Sequence, residues 1–127
     1  QTPGGIGYVE YGFAVSSKQP TVSLENKAGK FVAPTLEAAA TALASLELPE
    51  DMRAWVADPQ GDESYPIVTY TWILAKKDYE NDATAAAVKK LLKWSLTEGQ
   101  KLSESLHYVP LPEPVTSRVL AKVDSIQ

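Results

Sequence analysis

Three carboxylates lie close together in a part of the sequence that is predicted to be a loop, and carboxylates could bind a metal ion. Asp58, Asp62 and Glu63 fall within residues 57–66, where prolines and a glycine predict turns. Carboxylate oxygens are the ligands that hard cations such as Ca²⁺ prefer. Their spacing matches no established calcium-binding loop. We therefore interpret the stretch as a solvated turn or a hinge, and we predict no metal site and no cofactor.

The only histidine, His107, is a candidate general base. His107 follows Ser103, Glu104 and Ser105 in a stretch predicted to be a helix that faces solvent. A general base needs a nucleophile and an orienting carboxylate within hydrogen-bond reach. Residues on a solvent-facing helix do not supply that geometry, and the absence of cysteine excludes a thiol nucleophile. We find no catalytic set and predict that the protein is not an enzyme.

Two glycines near the start of the chain resemble part of a phosphate-binding loop. A dinucleotide loop needs a third glycine and a helix N-terminus, where backbone N–H groups meet the phosphates. After Gly5 and Gly7 the sequence continues with Tyr8 and Val9, which favour a strand. We therefore interpret the glycines as a turn with close backbone packing before a strand.

The charge and the aromatic residues indicate which classes of binding partner the chain could have. The net charge is −4 and no basic stripe is present, so we predict no nucleic-acid partner. Lys89, Lys90 and Lys93 form one basic face of a predicted helix, which could touch an acidic partner but is more simply a solvated face. Four aromatic residues could stack on a sugar or base, although core packing explains those in the strand and helix better: Tyr65, Tyr70, Trp72 and Trp94.

The elements that would position these residues follow from local patterns. Turn residues at Asn26–Gly29 separate two β-prone runs and predict a hairpin. Thr35 is a candidate N-cap for a helix that ends before Pro49. The remaining predictions are a strand at 5–9, helical turns at 11–17, a helix at 83–96 capped by Asp82 with Gly99 as a C-cap, a short helix at 100–106, and a last helix from Pro114.

Residues 67–75 predict the strongest strand in the chain. Ile67, Thr69, Thr71 and Ile73 share one face, and the intervening residues place apolar side chains on the other. Apolar residues on both faces are typical of a strand covered by helices on both sides. The order of the elements favours an α/β fold with helices flanking a mixed sheet. The sequence offers few strands to pair with 67–75, which indicates that part of the sheet lies elsewhere.

The start of the chain supports the same expectation. Only Gln1, Thr2 and Pro3 precede the first predicted strand, and the only methionine is Met52. A glycine-rich turn before a strand is typical of the interior of an α/β domain. We expect the chain to be processed or cut from a longer polypeptide.

Four motifs, in the same order, resemble the phosphate-binding receptors (PstS type) of phosphate ABC importers. Residues 4–11 read Gly-Gly-Ile-Gly-Tyr-Val-Glu-Tyr, and residues 26–32 read Asn-Lys-Ala-Gly-Lys-Phe-Val before Pro34 and Thr35. Residues 65–74 resemble the aromatic-Pro-Ile-Thr strand of the family, and residues 106–112 resemble its Leu-x-Tyr-x-x-Leu-Pro segment. The resemblance covers the whole chain but only the C-terminal part of such a receptor.

The resemblance implies a two-lobed periplasmic-binding-protein fold of type II. Residues 1–62 would form the C-terminal portion of the second lobe, residues 63–66 would cross the hinge, and residues 67–127 would complete the first lobe. The implied hinge residues are Ser64, Tyr65 and Pro66. The loop found from turn residues at 57–66 falls at this crossing.

The resemblance also implies a function and partners. The family captures inorganic phosphate between its lobes and delivers it to an ABC permease in the membrane, in the periplasm or at the cell surface. None of its phosphate-binding motifs matches a position here, and neither Arg53 nor Arg118 lies in one. We therefore expect no ligand-binding residue in this chain, and phosphate would bind through the missing N-terminal and middle parts. The alternative is a structural or interaction polypeptide that completes its sheet by pairing with itself or with another chain.

Overall fold

The computed structural model describes residues 2–55 and 57–127; the predicted 1–62 portion also includes Gln1 and Val56, which lie outside the described residues. Helices and strands are both present, which agrees in coarse terms with the predicted α/β class. Two 3-10 helices, Glu98–Leu102 and Glu104–Leu106, also occur. In chain order the main elements are α1 (Tyr11–Ser16), β1 (Leu24–Glu25), β2 (Phe31–Val32), α2 (Leu36–Ala44), α3 (Asp82–Leu96) and α4 (Glu113–Asp124).

The predicted hairpin forms, with shorter strands than the sequence indicated. β1 and β2 are antiparallel, with Leu24 opposite Val32 and Glu25 opposite Phe31. The Gly29 N–H donates to the Asn26 carbonyl at 2.8 Å, and Gly29 has a φ of 74°. Glycine accepts this left-handed conformation without the steric cost that a Cβ would add, which explains the turn.

Helix α2 begins at the predicted cap. Thr35 has an extended backbone, and its hydroxyl accepts a hydrogen bond from the Ala38 N–H at 3.1 Å. A hydrogen bond from its own backbone N–H, and another from the Thr35 hydroxyl, lower the pKa of Glu37. A capped N-terminus with an acidic first turn is the arrangement that the sequence predicted.

Helices α3 and α4 pack on each other around a small apolar cluster. Ala85 of α3 and Val123 of α4 are buried together with Ile126. Two backbone hydrogen bonds attach Gln127, after α4, to the residues that precede α3. The Tyr79 N–H donates to the Gln127 carbonyl and the Gln127 N–H donates to the Lys77 carbonyl, each at 2.7 Å. The partly buried residues around the cluster are Tyr79, Val88, Leu92, Leu96 and Val119.

Arg118 connects this helical unit to the segment that follows α2. Its guanidinium donates to the Leu48 carbonyl at 2.7 Å and to the Pro49 carbonyl at 2.8 Å. Both acceptors lie about 70 residues away in sequence. The arginine therefore has a structural use in this chain. In the part of the chain that the structure describes, no helix is both long and apolar enough to cross a membrane.

Two predicted strands are wrong. Residues 5–9 and 67–75, all of them described, belong to no strand. In addition, no backbone-to-backbone hydrogen bond joins residues 67–75 to another described residue. A strand satisfies its N–H and C=O groups only through a neighbouring strand. Without such a neighbour among the described residues, the apolar pattern produces a segment without regular secondary structure and no sheet.

Two predicted helix ends are also wrong. Helix α3 is capped by Asn81, whose side chain accepts from the Thr84 N–H at 3.0 Å, while Asp82 is already helical. The helix ends at Leu96 with Thr97 as its C-cap, and Gly99 lies inside a 3-10 helix. A Cβ on Gly99 would lie 3.2 Å from the Trp94 carbonyl oxygen. Gly99 therefore lies in close contact with Trp94, and it does not form a left-handed cap.

The predicted short helix at 100–106 forms as the two 3-10 helices, which begin earlier, at Glu98. The helical turns predicted at 11–17 form as α1. The last helix begins at Glu113, with a proline in its first turn as expected.

Candidate functional site

The three predicted hinge residues lie in a segment with well-defined contacts. Ser64 is completely buried, and its hydroxyl donates to the Gln60 carbonyl at 2.7 Å. The Tyr65 N–H donates to the Ala38 carbonyl of α2 at 3.3 Å, and the Pro66 carbonyl accepts from the Asp58 N–H at 3.3 Å. The segment thus rests on α2 and on the start of its own loop.

A side chain from the hairpin turn holds the same loop. Asn26 is 4% exposed, and its Nδ2 donates to three carbonyl oxygens, those of Gly61, Asp62 and Ser64, at 2.8 to 3.2 Å. Its Oδ1 accepts at 3.0 Å from the N–H groups of Ala28 and Lys30. One carboxamide therefore organises the hairpin turn and binds the loop to it.

Sequence reasoning missed this second use of Asn26. The turn residues around it predicted the hairpin, and that prediction is confirmed. The three carbonyl acceptors lie 35, 36 and 38 residues further along the chain. Backbone carbonyls are present at every position, so no residue type in the loop signals that it receives these bonds.

One of the three carboxylates of this loop, that of Asp58, accepts a backbone hydrogen bond. The Asp58 Oδ1 accepts from the Lys27 N–H at 2.9 Å, which adds a second link between the loop and the hairpin. Across residues 2–55 and 57–127, no group of three or more histidine, cysteine or acidic side chains could hold a metal ion. The loop is thus a folded turn attached to the hairpin.

His107 lies at the end of the second 3-10 helix, with a left-handed φ of 62°. Its ring meets the ring of Tyr11 edge to face, with the centroids 6.5 Å apart. The negative charge of nearby Glu10, together with a hydrogen bond to its carboxylate, raises the pKa of Tyr108. Glu10 also accepts from the Gly12 N–H at 3.2 Å and so caps α1. These contacts join α1 to residues 104–108 and supply no nucleophile–base pair.

The basic face of α3 meets the end of α4. The Lys89 ammonium donates to the carbonyls of Asp124 and Ile126 at 3.2 and 3.0 Å. Lys93 forms a salt bridge with the Asp124 carboxylate. Cations near the C-terminus of a helix stabilise its exposed carbonyls, so these two lysines have a structural role in the chain.

The segment 67–75 and the helices α3 and α4 border an open apolar groove. The groove has a volume of about 790 Å³ and is lined by Trp72 and Ile73 on one side and by Leu92, Val119 and Val123 on the other. Along the segment, Leu74 is 97% exposed and Ile73 is 70% exposed. Large exposed apolar patches are typical of surfaces that contact another protein, a membrane or a ligand.

Two aromatic side chains near the middle of this segment donate hydrogen bonds to other parts of the chain. Tyr70 is buried, its hydroxyl donates to the Leu43 carbonyl of α2 at 3.3 Å, and burial raises its pKa. The Trp72 indole N–H donates to the Met52 carbonyl at 2.9 Å. Tyr70 therefore packs as predicted, whereas Trp72 is 37% exposed and Trp94 of α3 is 50% exposed, so the prediction of core packing is wrong for these two tryptophans.

The glycine-rich residues near the start of the chain lie in irregular, exposed backbone. Ile6 is 94% exposed, and Val9 is 55% exposed. The element that follows is α1, a helix of six residues capped by Glu10. The Gly5 N–H donates to the Thr2 carbonyl at 3.0 Å, so the predicted turn forms, but a Cβ on Gly7 would meet nothing within 4 Å, so the predicted close packing is wrong at Gly7.

Comparisons with known proteins agree with the resemblance seen in the motifs. Residues 1–98 match the family model described as a PBP superfamily domain. The chain is 39% identical over 140 residues to the phosphate-binding protein PstS of Methanocaldococcus jannaschii, covering 99% of this chain and 36% of that protein.

Bacterial relatives give the same result. The identity is 37% over 119 residues to the phosphate-binding protein PstS of Pasteurella multocida, covering 92% of this chain and 35% of that protein. It is 35% over 123 residues to the protein of the same name from Xylella fastidiosa (strain 9a5c), covering 95% of this chain and 34% of that protein. The chain therefore spans about a third of the length of these relatives.

Proposed function

The chain belongs to the PBP superfamily, and from that premise we propose that it is a segment of a receptor that captures inorganic phosphate and delivers it to an ABC importer. One observation carries the proposal: nearly the whole chain aligns with proteins named as phosphate-binding proteins, at 35–39% identity. The receptor acts in the periplasm or at the cell surface. It is a binding protein and not an enzyme.

In this proposal the chain supplies scaffold and hinge. Residues 1–62 contribute to the second lobe, residues 63–66 cross between the lobes, and residues 67–127 contribute to the first lobe. The hinge residues are Ser64, Tyr65 and Pro66. Their contacts with α2 and with the start of the loop support a segment of defined direction. The phosphate ligands come from other parts of the receptor.

The other partner is the remaining part of the same receptor. The apolar groove has helices α3 and α4 along one side and, along the other, residues 67–75, which make no backbone-to-backbone hydrogen bond with another described residue. Strands supplied by the rest of the receptor fit this space, since they would pair with 67–75 and lie under the helices. The membrane permease would meet the assembled receptor.

Isothermal calorimetry with inorganic phosphate tests the function. The full-length protein that contains this chain is expected to bind phosphate, and the 127-residue chain alone is expected not to bind it. Sulfate serves as the control anion for charge alone. Absence of phosphate binding by the full-length protein would contradict the proposal, as would phosphate binding of equal strength by the 127-residue chain.

A further inference from the structure

The contacts of Asn26 have a consequence for the segment that crosses between the lobes. The loop 58–66 contains neither helix nor strand, and all of its residues are described. It nevertheless contains Ser64, whose burial is complete. A loop without regular structure keeps such burial only if its backbone groups find partners elsewhere.

Asn26 supplies those partners through one side chain. Its Nδ2 approaches three carbonyl oxygens, and its Oδ1 approaches two N–H groups, so the orientation of the amide is fixed. A rotated amide would place its oxygen against three carbonyl oxygens. An aspartate has the same size and keeps the acceptor, but at neutral pH it has no donor.

Two further contacts continue from Asn26 toward the crossing. The Ser64 carbonyl, which accepts from Asn26, is followed directly by the Tyr65 N–H, which donates to α2 at 3.3 Å. Asp58, which accepts from the Lys27 N–H beside Asn26, donates its own N–H to the Pro66 carbonyl. The hairpin, α2 and the loop are therefore joined at both ends of the segment 64–66.

We propose that Asn26 is a positioning residue that fixes the direction in which residues 64–66 leave the hairpin and α2, and so restricts the hinge of the receptor. The hinge role rests on the proposed function, whereas the restriction of the loop does not. The loop then moves as one body with the hairpin and α2 when the lobes close. Loss of the Nδ2 donor loosens the loop and leaves the hairpin turn intact.

Hydrogen exchange of the full-length protein without phosphate tests the restriction. In Asn26→Asp, the amides of Ser64 and Tyr65 are expected to exchange about tenfold faster or more, because several bonds to the loop are lost. The amides of Ala28 and Lys30 should keep their exchange rates, since the acceptor remains. The matched control is Asn81→Asp, which makes the same chemical change at a helix cap where aspartate also accepts. Equal acceleration throughout the protein, or none in the loop, would overturn the proposal.

Lowering the pH is expected to restore a hydrogen-bond donor at position 26 in the same variant. The introduced carboxyl regains a donor when it is protonated, so the acceleration in the loop, corrected for the intrinsic effect of pH on exchange, should shrink from pH 7 toward pH 4. An unchanged acceleration at pH 4 would overturn the role of the donor. If Asn26→Asp does not fold, Asn26→Ser is measured in its place at pH 7 and is expected to accelerate exchange in the loop. Exchange in that loop at the rate of the unchanged protein would overturn the proposal.

Phosphate calorimetry of the full-length protein tests the hinge role. Asn26→Asp is expected to weaken phosphate binding by about three- to tenfold, because a looser hinge populates the binding-competent closed form less often. Asn81→Asp should bind as the unchanged protein does. Faster loop exchange with unchanged phosphate affinity would overturn the hinge role. If the unchanged protein binds no phosphate, the proposed function fails, while the exchange result still decides the restriction of the loop.

Discussion

The helix pair α3–α4 and the segment 67–75 are neighbours in the chain, yet their apolar side chains differ greatly in exposure to solvent. Ile126, just beyond α4, is 7% exposed, whereas Leu74 is 97% exposed. The helices satisfy most of their backbone groups internally and bury a small apolar cluster against one another, although Leu91 and Trp94 of α3 stay exposed. The segment needs other strands for its backbone and helices for its side chains. The difference separates helices, which satisfy their backbone locally, from a segment whose backbone bonds to no other backbone group among the described residues.

The largest contrast is expected from truncating one apolar side chain in each region. Ile126→Ala should lower the free energy of unfolding of the 127-residue chain by about 2–4 kcal/mol, because it removes buried methyl groups and leaves a cavity. Leu74→Ala should change it by less than about 0.5 kcal/mol, because the side chain is exposed. Urea unfolding followed by circular dichroism measures both. Equal losses of unfolding free energy in the two variants would contradict the difference between the two regions.

The next largest effect on stability is expected in the loop 57–66, which precedes the segment 67–75. Gly61 has a φ of 121°, and a Cβ there would lie 2.6 Å from the Ser64 hydroxyl oxygen. Gly61→Ala should therefore cost about 1–3 kcal/mol, from backbone strain and from displacement of Ser64. A matched control is Gly7→Ala, where a Cβ meets nothing within 4 Å. Equal melting temperatures for the two variants would show that the loop is not held as described.

A smaller effect is expected at the start of α3. Asn81→Ala removes the acceptor for the Thr84 N–H and should cost about 1 kcal/mol. Asn81→Asp should retain nearly all of the stability, because aspartate caps as well as asparagine does. Thermal unfolding compares the three proteins. A loss in Asn81→Asp as large as that in Asn81→Ala would contradict the assignment of this cap.

The smallest effect is the pH dependence of the contact between α3 and α4. A hydrogen bond and the positive charge of Lys93 lower the pKa of Asp124. A lowered pKa in the folded state means that the contribution to stability is present above the unfolded value near 3.8 and is lost as the pH falls through the folded value. Lys93→Gln should therefore flatten the loss of stability in acid slightly. Unfolding curves between about pH 5 and pH 2 measure this. An acid dependence identical to that of the unchanged chain would contradict a contribution from this pair.

The sequence predicted the elements whose signals are local. Thr35 is the N-cap of α2, the turn at Asn26–Gly29 forms the hairpin, and a proline opens α4. The cap of α3 was placed one residue late, because Asn81 and Asp82 are both good capping residues and sequence alone does not rank them. Gly99 was predicted to end the helix, but in the structure it lies inside a 3-10 helix, in close contact with the ring and carbonyl of Trp94.

The elements that the sequence did not predict correctly depend on distant groups. The strand pattern at 67–75 is clear, but a strand requires partners that periodicity cannot supply. The contacts of Asn26 join the turn to carbonyls 35 to 38 residues away, and carbonyls carry no sequence signal. The hinge assignment of Ser64, Tyr65 and Pro66 came from family resemblance, and it stays a prediction.

The most direct test measures hydrogen exchange of the backbone amides of residues 67–74 in two proteins. In the 127-residue chain these amides should exchange at nearly the rate of unfolded backbone, because none of them bonds to another described residue. In the full-length protein they should exchange at least about a hundredfold more slowly, since neighbouring strands would then accept or protect them. Equal and fast exchange in both proteins would contradict the claim that the rest of the receptor covers this segment.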